Sequence, residues 1–181
     1  MESPAEELVD QFLTQLQQQR LYSPHTISNY RRDLGQLIHF CDERNIQQFK
    51  QLNHQIIRSF VVWRHQQNIS GRTLQRELSA MRSFFRFLIT KEILNHNPAQ
   101  GVRAPKSEKR LPKNLDIEQT EQLLKINQHD PLALRDRAIM ELFYSSGLRL
   151  SELVSLNVDT IDYSAASLTV KGKGGKERMI P

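Results

Sequence analysis

Cysteine is almost absent: Cys41 is the only one in 181 residues, so no disulfide can form within the chain. It falls on the apolar side of a helical pattern, where a core thiol is expected. No apolar run approaches the roughly 20 residues of a membrane-spanning helix. The start, Met1-Glu2-Ser3-Pro4, lacks the basic-then-apolar order of a secretory signal. A cytoplasmic protein with no membrane partner is expected. The six histidines all lie at or before position 129, and none stands at ligand spacing with Cys41. Neither a metal site nor a cofactor is expected.

What the chain has is hydrophobic patterning and unevenly placed positive charge. With 38% hydrophobic residues and a net charge of +5 it is long enough for one domain or two small ones. Residues 1–101 carry 12 Lys/Arg against 9 Asp/Glu, residues 102–113 carry 5 against 1, and residues 114–181 carry 8 against 10. The short middle segment is the most basic stretch, and the span from Lys171 to Arg178 adds four more cations. Such foci suit a polyanion.

The first hundred residues read as four amphipathic helices. Ser3-Pro4-Ala5-Glu6 is a capping box ahead of Leu8, Phe12 and Leu16, and Ser23-Pro24 opens a second helix with Ile27, Tyr30, Leu34, Leu37 and Cys41 as its buried stripe. Asn53 caps a third helix through Ile56, Ile57, Phe60 and Trp63, and a fourth runs from about Ser70 to Lys91. Their pattern predicts a helical bundle.

On the fourth helix, Leu74, Leu78, Met81, Phe85 and Leu88 fall within an arc of about 80°, while Arg72, Arg76, Arg82 and Arg86 fall within about 120° almost opposite. Glu77 and Glu92, the acids able to neutralise that run, lie outside the cationic arc. The second helix exposes His25, Asn29, Arg32 and Gln36, polar groups able to reach phosphates or base edges. The alternative for both faces is a solvated surface.

Residues 102–114 form a connector in which Pro105 and Pro112 forbid continuous helix. Its cations include Lys106, Lys109, Arg110 and Lys113. Thirteen extended residues would reach about 40 Å, enough to pass beside a duplex. The alternative is a plain interdomain linker.

From Asp116, with Gln119 at the capping-box position, residues 117–127 are expected to be helical. A second helix from Leu134 to Ser145 is apolar almost all round and must be buried, although what should cover it is expected to be missing from these residues. Gly147 suits the left-handed end of that helix, so Arg149 emerges at the head of the next, where a planar guanidinium can bind two phosphate oxygens. Two strands, Ser167–Lys171 and Lys176–Ile180, flank a glycine hairpin with Lys173 between Gly172 and Gly174. The rival readings are an Arg149–Glu152 surface ion pair and a solvated basic turn.

Taken together, Gly147-Leu148-Arg149-Leu150-Ser151-Glu152-Leu153 and Gly172-Lys173-Gly174-Gly175-Lys176-Glu177-Arg178 resemble the two catalytic motifs of the tyrosine recombinase (phage integrase) family. The resemblance extends through Asn97-Pro98-Ala99, Ala104-Pro105-Lys106, Leu111-Pro112-Lys113-Asn114 and Asp130-Pro131-Leu132-Ala133 to the branch of bacterial chromosome-dimer recombinases. It implies a mainly α fold: a SAM-like core-binding bundle over residues 1–101, a basic linker over 102–114, and over 115–181 the first part of a mixed α/β catalytic domain.

The resemblance also implies residue roles. Arg149 would stabilise the pentacovalent phosphate and Lys173 would protonate the leaving 5′-oxygen. Arg32, Arg72, Arg76, Arg82, Arg86, Lys106, Lys109, Arg110, Lys113, Lys171 and Lys176 would contact duplex DNA. The implied partner is a sister recombinase in a heterotetramer on that DNA. The family's H-x-x-R box and nucleophilic tyrosine do not follow: no histidine comes after Arg149, and Tyr163 is expected to be structural. This chain alone is therefore expected to be inactive. A non-catalytic DNA-binding protein stays open beside the enzyme, and a type IB topoisomerase fits the helical bundle poorly.

Overall fold

Short polar side chains place the helices of the first half. In a computed structural model that describes residues 4–19, 22–106, 114–125, 130–172 and 176–180, α1 spans Pro4–Gln18, α2 Pro24–Glu43, α3 His54–Gln66 and α4 Gly71–Thr90. Ser23 accepts from the Thr26 N–H, Asn53 from the Ile56 N–H and Ser70 from the Thr73 N–H, so three helices start where a side-chain oxygen satisfies an otherwise orphan donor. The expected cap at Ser3 lies outside the described residues. A 3₁₀ turn at Phe49–Gln51, which no periodicity announces, precedes α3.

The four helices bury one aromatic-rich core. Leu74, Leu78, Met81, Phe85 and Leu88, the expected apolar arc of α4, are all at 1% exposure or less. Phe84, at 0% exposure, touches Phe12, Phe49 and Phe87 with ring centroids 5.1–6.3 Å apart. Truncating such a residue costs about 3–5 kcal/mol. Cys41 is a buried free thiol whose pKa is pushed up to about 11, chiefly by burial, so it behaves as a small apolar group.

Two ion pairs stitch the bundle internally. Arg64 on α3 reaches buried Glu77 on α4 at 2.7 Å, and Arg76 on α4 grips Asp33 on α2 through two contacts of 2.8 and 2.9 Å. Asp33 is 1% exposed and Glu77 also 1%, so each needs its arginine.

The chain forms two compact units, Met1–Lys109 and Arg110–Pro181. The first does not stop packing at residue 101: Val102 is 2% exposed and Ala104 packs against the core. Asn97 organises this end, donating to the Arg82 carbonyl at 3.0 Å and accepting from the Ala99 N–H at 3.1 Å. Gly101, at φ +78°, then makes a turn that favours glycine.

The second unit starts with α5 (Ile117–Leu124), whose capping box pairs Asp116 with Gln119 as expected. Helix α6 (Pro131–Ser146) starts three residues earlier than the apolar run suggests, because Asp130 caps it and Pro131 suits the first turn. It ends at Gly147, with φ 58° and ψ 33°. Then come α7 (Leu150–Val154) and a three-stranded antiparallel sheet, β1 (Ile161–Asp162), β2 (Ser167–Lys171) and β3 (Glu177–Ile180), in that order.

Two expectations need correcting here. The ribbon has a third strand, and β1 escaped notice because two residues carry no alternation. Helix α6 is not buried: none of its residues is, and Leu132, Leu134 and Tyr144 are exposed. The core that the described residues supply is small, Leu148, Val170 and Ile180 with Leu142, Phe143, Leu153, Leu156 and Leu168 around them. It covers one side of α6, not all of it. Among the described residues no helix is long and apolar enough to cross a membrane.

Candidate nucleic-acid interface and phosphate-binding corner

Helix α4 presents its four arginines in two different ways. Arg72 and Arg86 are exposed and have no salt-bridge partner among the described residues. Arg76 is half-buried on Asp33, and Arg82 donates to the carbonyls of Ala99 at 3.2 Å and Val102 at 2.6 Å. The cationic arc is therefore partly neutralised after all, by a carboxylate on α2 that helix geometry within α4 could not reveal. On α2, Arg32 is exposed and donates to Asn29 Oδ1 at 2.7 Å. Lys106 is exposed just past the bundle, while Lys109, Arg110 and Lys113 lie outside the described residues.

In the second unit, the chemistry converges on a carboxylate. Glu152 is 3% exposed and accepts three hydrogen bonds: from the Arg149 N–H at 2.9 Å, the Arg149 guanidinium at 2.7 Å and the Arg178 guanidinium at 2.8 Å. These donors hold its pKa down at about 2, led by the Arg149 backbone N–H and aided by both guanidinium groups, against the opposing cost of burial. Its shielding comes from its own partners, since the surrounding core is thin.

The same carboxylate lies against the root of the glycine hairpin. A Cβ built on Gly172 would sit 3.7 Å from Glu152 Oε1 and 3.4 Å from the Lys176 carbonyl, which also accepts the Gly172 N–H at 2.7 Å. Both Cβ distances are ordinary van der Waals separations, so position 172 sits packed between its strand partner and Glu152. Three sequence-distant features thus meet: the Arg149 corner, the end of β2 and Arg178 on β3. Lys173 itself lies outside the described residues. Lys171 and Lys176 are exposed at this end of the paired strands.

The ion pair expected of Arg149 is present, and it leaves part of the guanidinium open. Arg149 does pair with Glu152, yet its side chain is 66% exposed and among the described residues only one of its terminal nitrogens is engaged, which leaves the rest of the fork open. One expectation at this corner changes. The Arg149 N–H is occupied by Glu152 and α7 has only five residues, so an anion here would be met by the guanidinium rather than by a helix end. Arg178 was not singled out from the sequence, although its place in the same basic run was visible. Tyr163 is 78% exposed in the turn between β1 and β2, outside this cluster. Among the described residues no group of His, Cys, Asp and Glu could hold a metal.

Two family models match: "Phage integrase, N-terminal SAM-like domain" over residues 9–92 and "Phage integrase family" over residues 113–181. The tyrosine recombinase XerC of Psychromonas ingrahamii is 42% identical over 179 residues, covering 99% of this chain and 60% of its own length. That of Pseudomonas syringae pv. tomato is 45% identical over 177 residues, covering 97% and 59%. The chain therefore spans about three fifths of these curated relatives. A lambda integrase dimer bound to a COC′ core site aligns at TM-score 0.73 and 20% identity over 97% of this chain and 61% of that one. The Tn1549 transposon integrase in complex with a circular intermediate DNA aligns at TM-score 0.70 and 15% identity over 96% and 60%. At such identities the likeness is one of fold.

Proposed function

The chain belongs to the phage integrase family, and from that premise we propose that it supplies the DNA-binding domain and part of the active site of a site-specific tyrosine recombinase. The observation that carries the reading is the convergence on Glu152, which holds Arg149 at the corner and lies against Gly172, the residue before Lys173.

In this reading a tyrosine attacks a DNA phosphodiester, forming a 3′-phosphotyrosyl bond as the bond to the 5′-oxygen breaks. Arg149 neutralises non-bridging oxygens of the pentacovalent phosphate and Lys173 gives its proton to the leaving 5′-oxygen. Neither metal nor nucleotide enters, because the phosphotyrosyl bond keeps the energy of the one it replaces and a second 5′-hydroxyl can reverse the step. Arg32, Arg72 and Arg86, with Lys106, Lys109, Arg110 and Lys113 of the connector and Lys171 and Lys176 of the hairpin, bind the duplex. Arg76 and Arg82 act first as internal ties. The role that fits XerC-like relatives is resolution of chromosome dimers at cell division, in the bacterial cytoplasm, with a sister, XerD-like recombinase in a heterotetramer on the DNA.

A second reading, a DNA-binding protein without catalysis, is favoured by one feature: the Arg149 guanidinium is already held by Glu152, as a structural ion pair would hold it. One experiment addresses both. The chain is offered a mixed-sequence duplex, then a nicked suicide substrate that traps covalent adducts. Binding without an adduct is expected from these 181 residues alone, and adduct formation from a protein that joins them to the family's nucleophilic tyrosine. Absence of duplex binding would contradict both readings, and an adduct at Tyr163 would contradict the assignment of roles.

A further inference from the structure

A cleft of about 480 Å³ opens in the first unit, and no arginine of α2 or α4 is among its lining residues. His54, Arg58 and Val62 line it from α3, and the segment Gly101–Pro105 lines it from the other side. His54 and Arg58, four residues apart, share a face of α3. The Gly101 turn brings the opposite wall close: a Cβ there would lie 3.9 Å from His54 Cε1. Val61 and Val102, 6% and 2% exposed, close the floor, so the cleft has an apolar base and a cationic rim.

Among the described residues no acid lines this cleft, and Arg58 and Arg103 are exposed with no partner there. That contrasts with Arg31, Arg64 and Arg76, each of which holds a carboxylate. Two unpaired guanidinium groups and an imidazole around one concavity make a site for an anion with an apolar attachment. A backbone phosphate with its deoxyribose has that composition: the forks take the non-bridging oxygens and the sugar lies on Val62 and Pro105. An acidic protein segment would also find cations here. The duplex is favoured because Arg103 opens the most basic stretch of the chain, so that phosphates held here continue onto the connector.

We propose that this cleft is a backbone-phosphate clamp that fixes the register of the duplex on the first unit, with Arg58 and Arg103 as its principal ligands and His54 as a further donor. The proposal rests on the reading of the chain as DNA-binding. It assigns contacts outside the cationic faces of α2 and α4 and predicts that they carry no base specificity.

The test is titration of the whole 181-residue chain against a mixed-sequence duplex over a range of salt. Arg58→Ala with Arg103→Ala should bind about tenfold more weakly, and its log–log salt slope should fall by about 1. Val62→Asp, a change on an exposed side chain, should weaken binding in the same direction. A control that removes two exposed cations elsewhere, Lys50→Ala with Lys91→Ala, should leave the slope nearly unchanged. Methylphosphonates placed throughout one strand of the duplex should weaken the wild type more than the double variant. Wild-type binding with an unchanged slope in the double variant would overturn the clamp, as an acidic protein ligand would produce, and leave the recombinase reading standing. An equal loss in the Lys50/Lys91 control would reduce the effect to overall charge and also overturn it. Failure of the wild type to bind duplex would sink both.

Discussion

Arg149 and Glu152 are bound to each other twice. The Arg149 N–H donates to Glu152 Oε2 at 2.9 Å and its guanidinium donates to Oε1 at 2.7 Å, so the N-cap residue of α7 is fixed in backbone and side chain by one carboxylate. Arg178 adds a third donor at 2.8 Å. A guanidinium so held presents its free edge in one direction, which is what an electrostatic ligand for a developing phosphate charge requires.

The first prediction concerns pH. Glu152 has its pKa lowered from the ordinary 4.5 to about 2, so the ionised form is the one that stabilises the fold. That contribution is complete above about pH 4.5 and is lost as pH falls toward 2. Glu152→Gln should be less stable than the wild type at neutral pH and should show a smaller further loss across that window in acid-unfolding curves. Parallel curves for the two proteins would mean that the carboxylate is not held as described.

A second prediction separates the arginines of α4. Arg76→Ala strands a buried carboxylate and should cost about 1–3 kcal/mol of stability in denaturant unfolding, discounted because the arginine is partly exposed. Arg72→Ala and Arg86→Ala should each stay within about 0.5 kcal/mol, and together lower the salt slope of duplex binding. Loss of stability in the second pair and none in the first would reverse the assignment.

Arg82 supplies a third. Its guanidinium closes the turn at Ala99–Val102, so Arg82→Ala should cost about 1–2 kcal/mol and speed amide exchange from Ala99 to Ala104 more than within α1. Uniform exchange changes would contradict a local tie.

How far the sequence carried these conclusions depends on the range of each signal. Helix starts were legible because Ser23, Asn53, Ser70, Asp116 and Asp130 act on their own next turn. The α4 core face was legible because helical periodicity is local. The fate of Arg76 was not, since Asp33 lies 43 residues away and reaches it only once α2 packs on α4. Glu152 showed the same limit. Its pairing with Arg149, three residues away, was open to weighing, but its bond to Arg178 across 26 residues and its contact with Gly172 depend on how β2 and β3 fold back. The strand β1 is set by the Asp162 side chain, which accepts from Ser164 and Ala165 and tightens a turn that no apolar alternation marks.

The proposed division of labour between Arg149 and Lys173 is tested most directly by leaving-group substitution in a recombinase that carries this chain together with the nucleophile. A 5′-bridging sulfur leaves as a thiolate, whose low basicity removes the need for a proton donor, while the non-bridging oxygens are untouched. Single-turnover cleavage should therefore be slow for Lys173→Ala on ordinary DNA and largely restored on the sulfur-bridged substrate, whereas Arg149→Ala should stay slow on both. Restoration in Arg149→Ala, or in Lys176→Ala in place of Lys173→Ala, would contradict the roles assigned here.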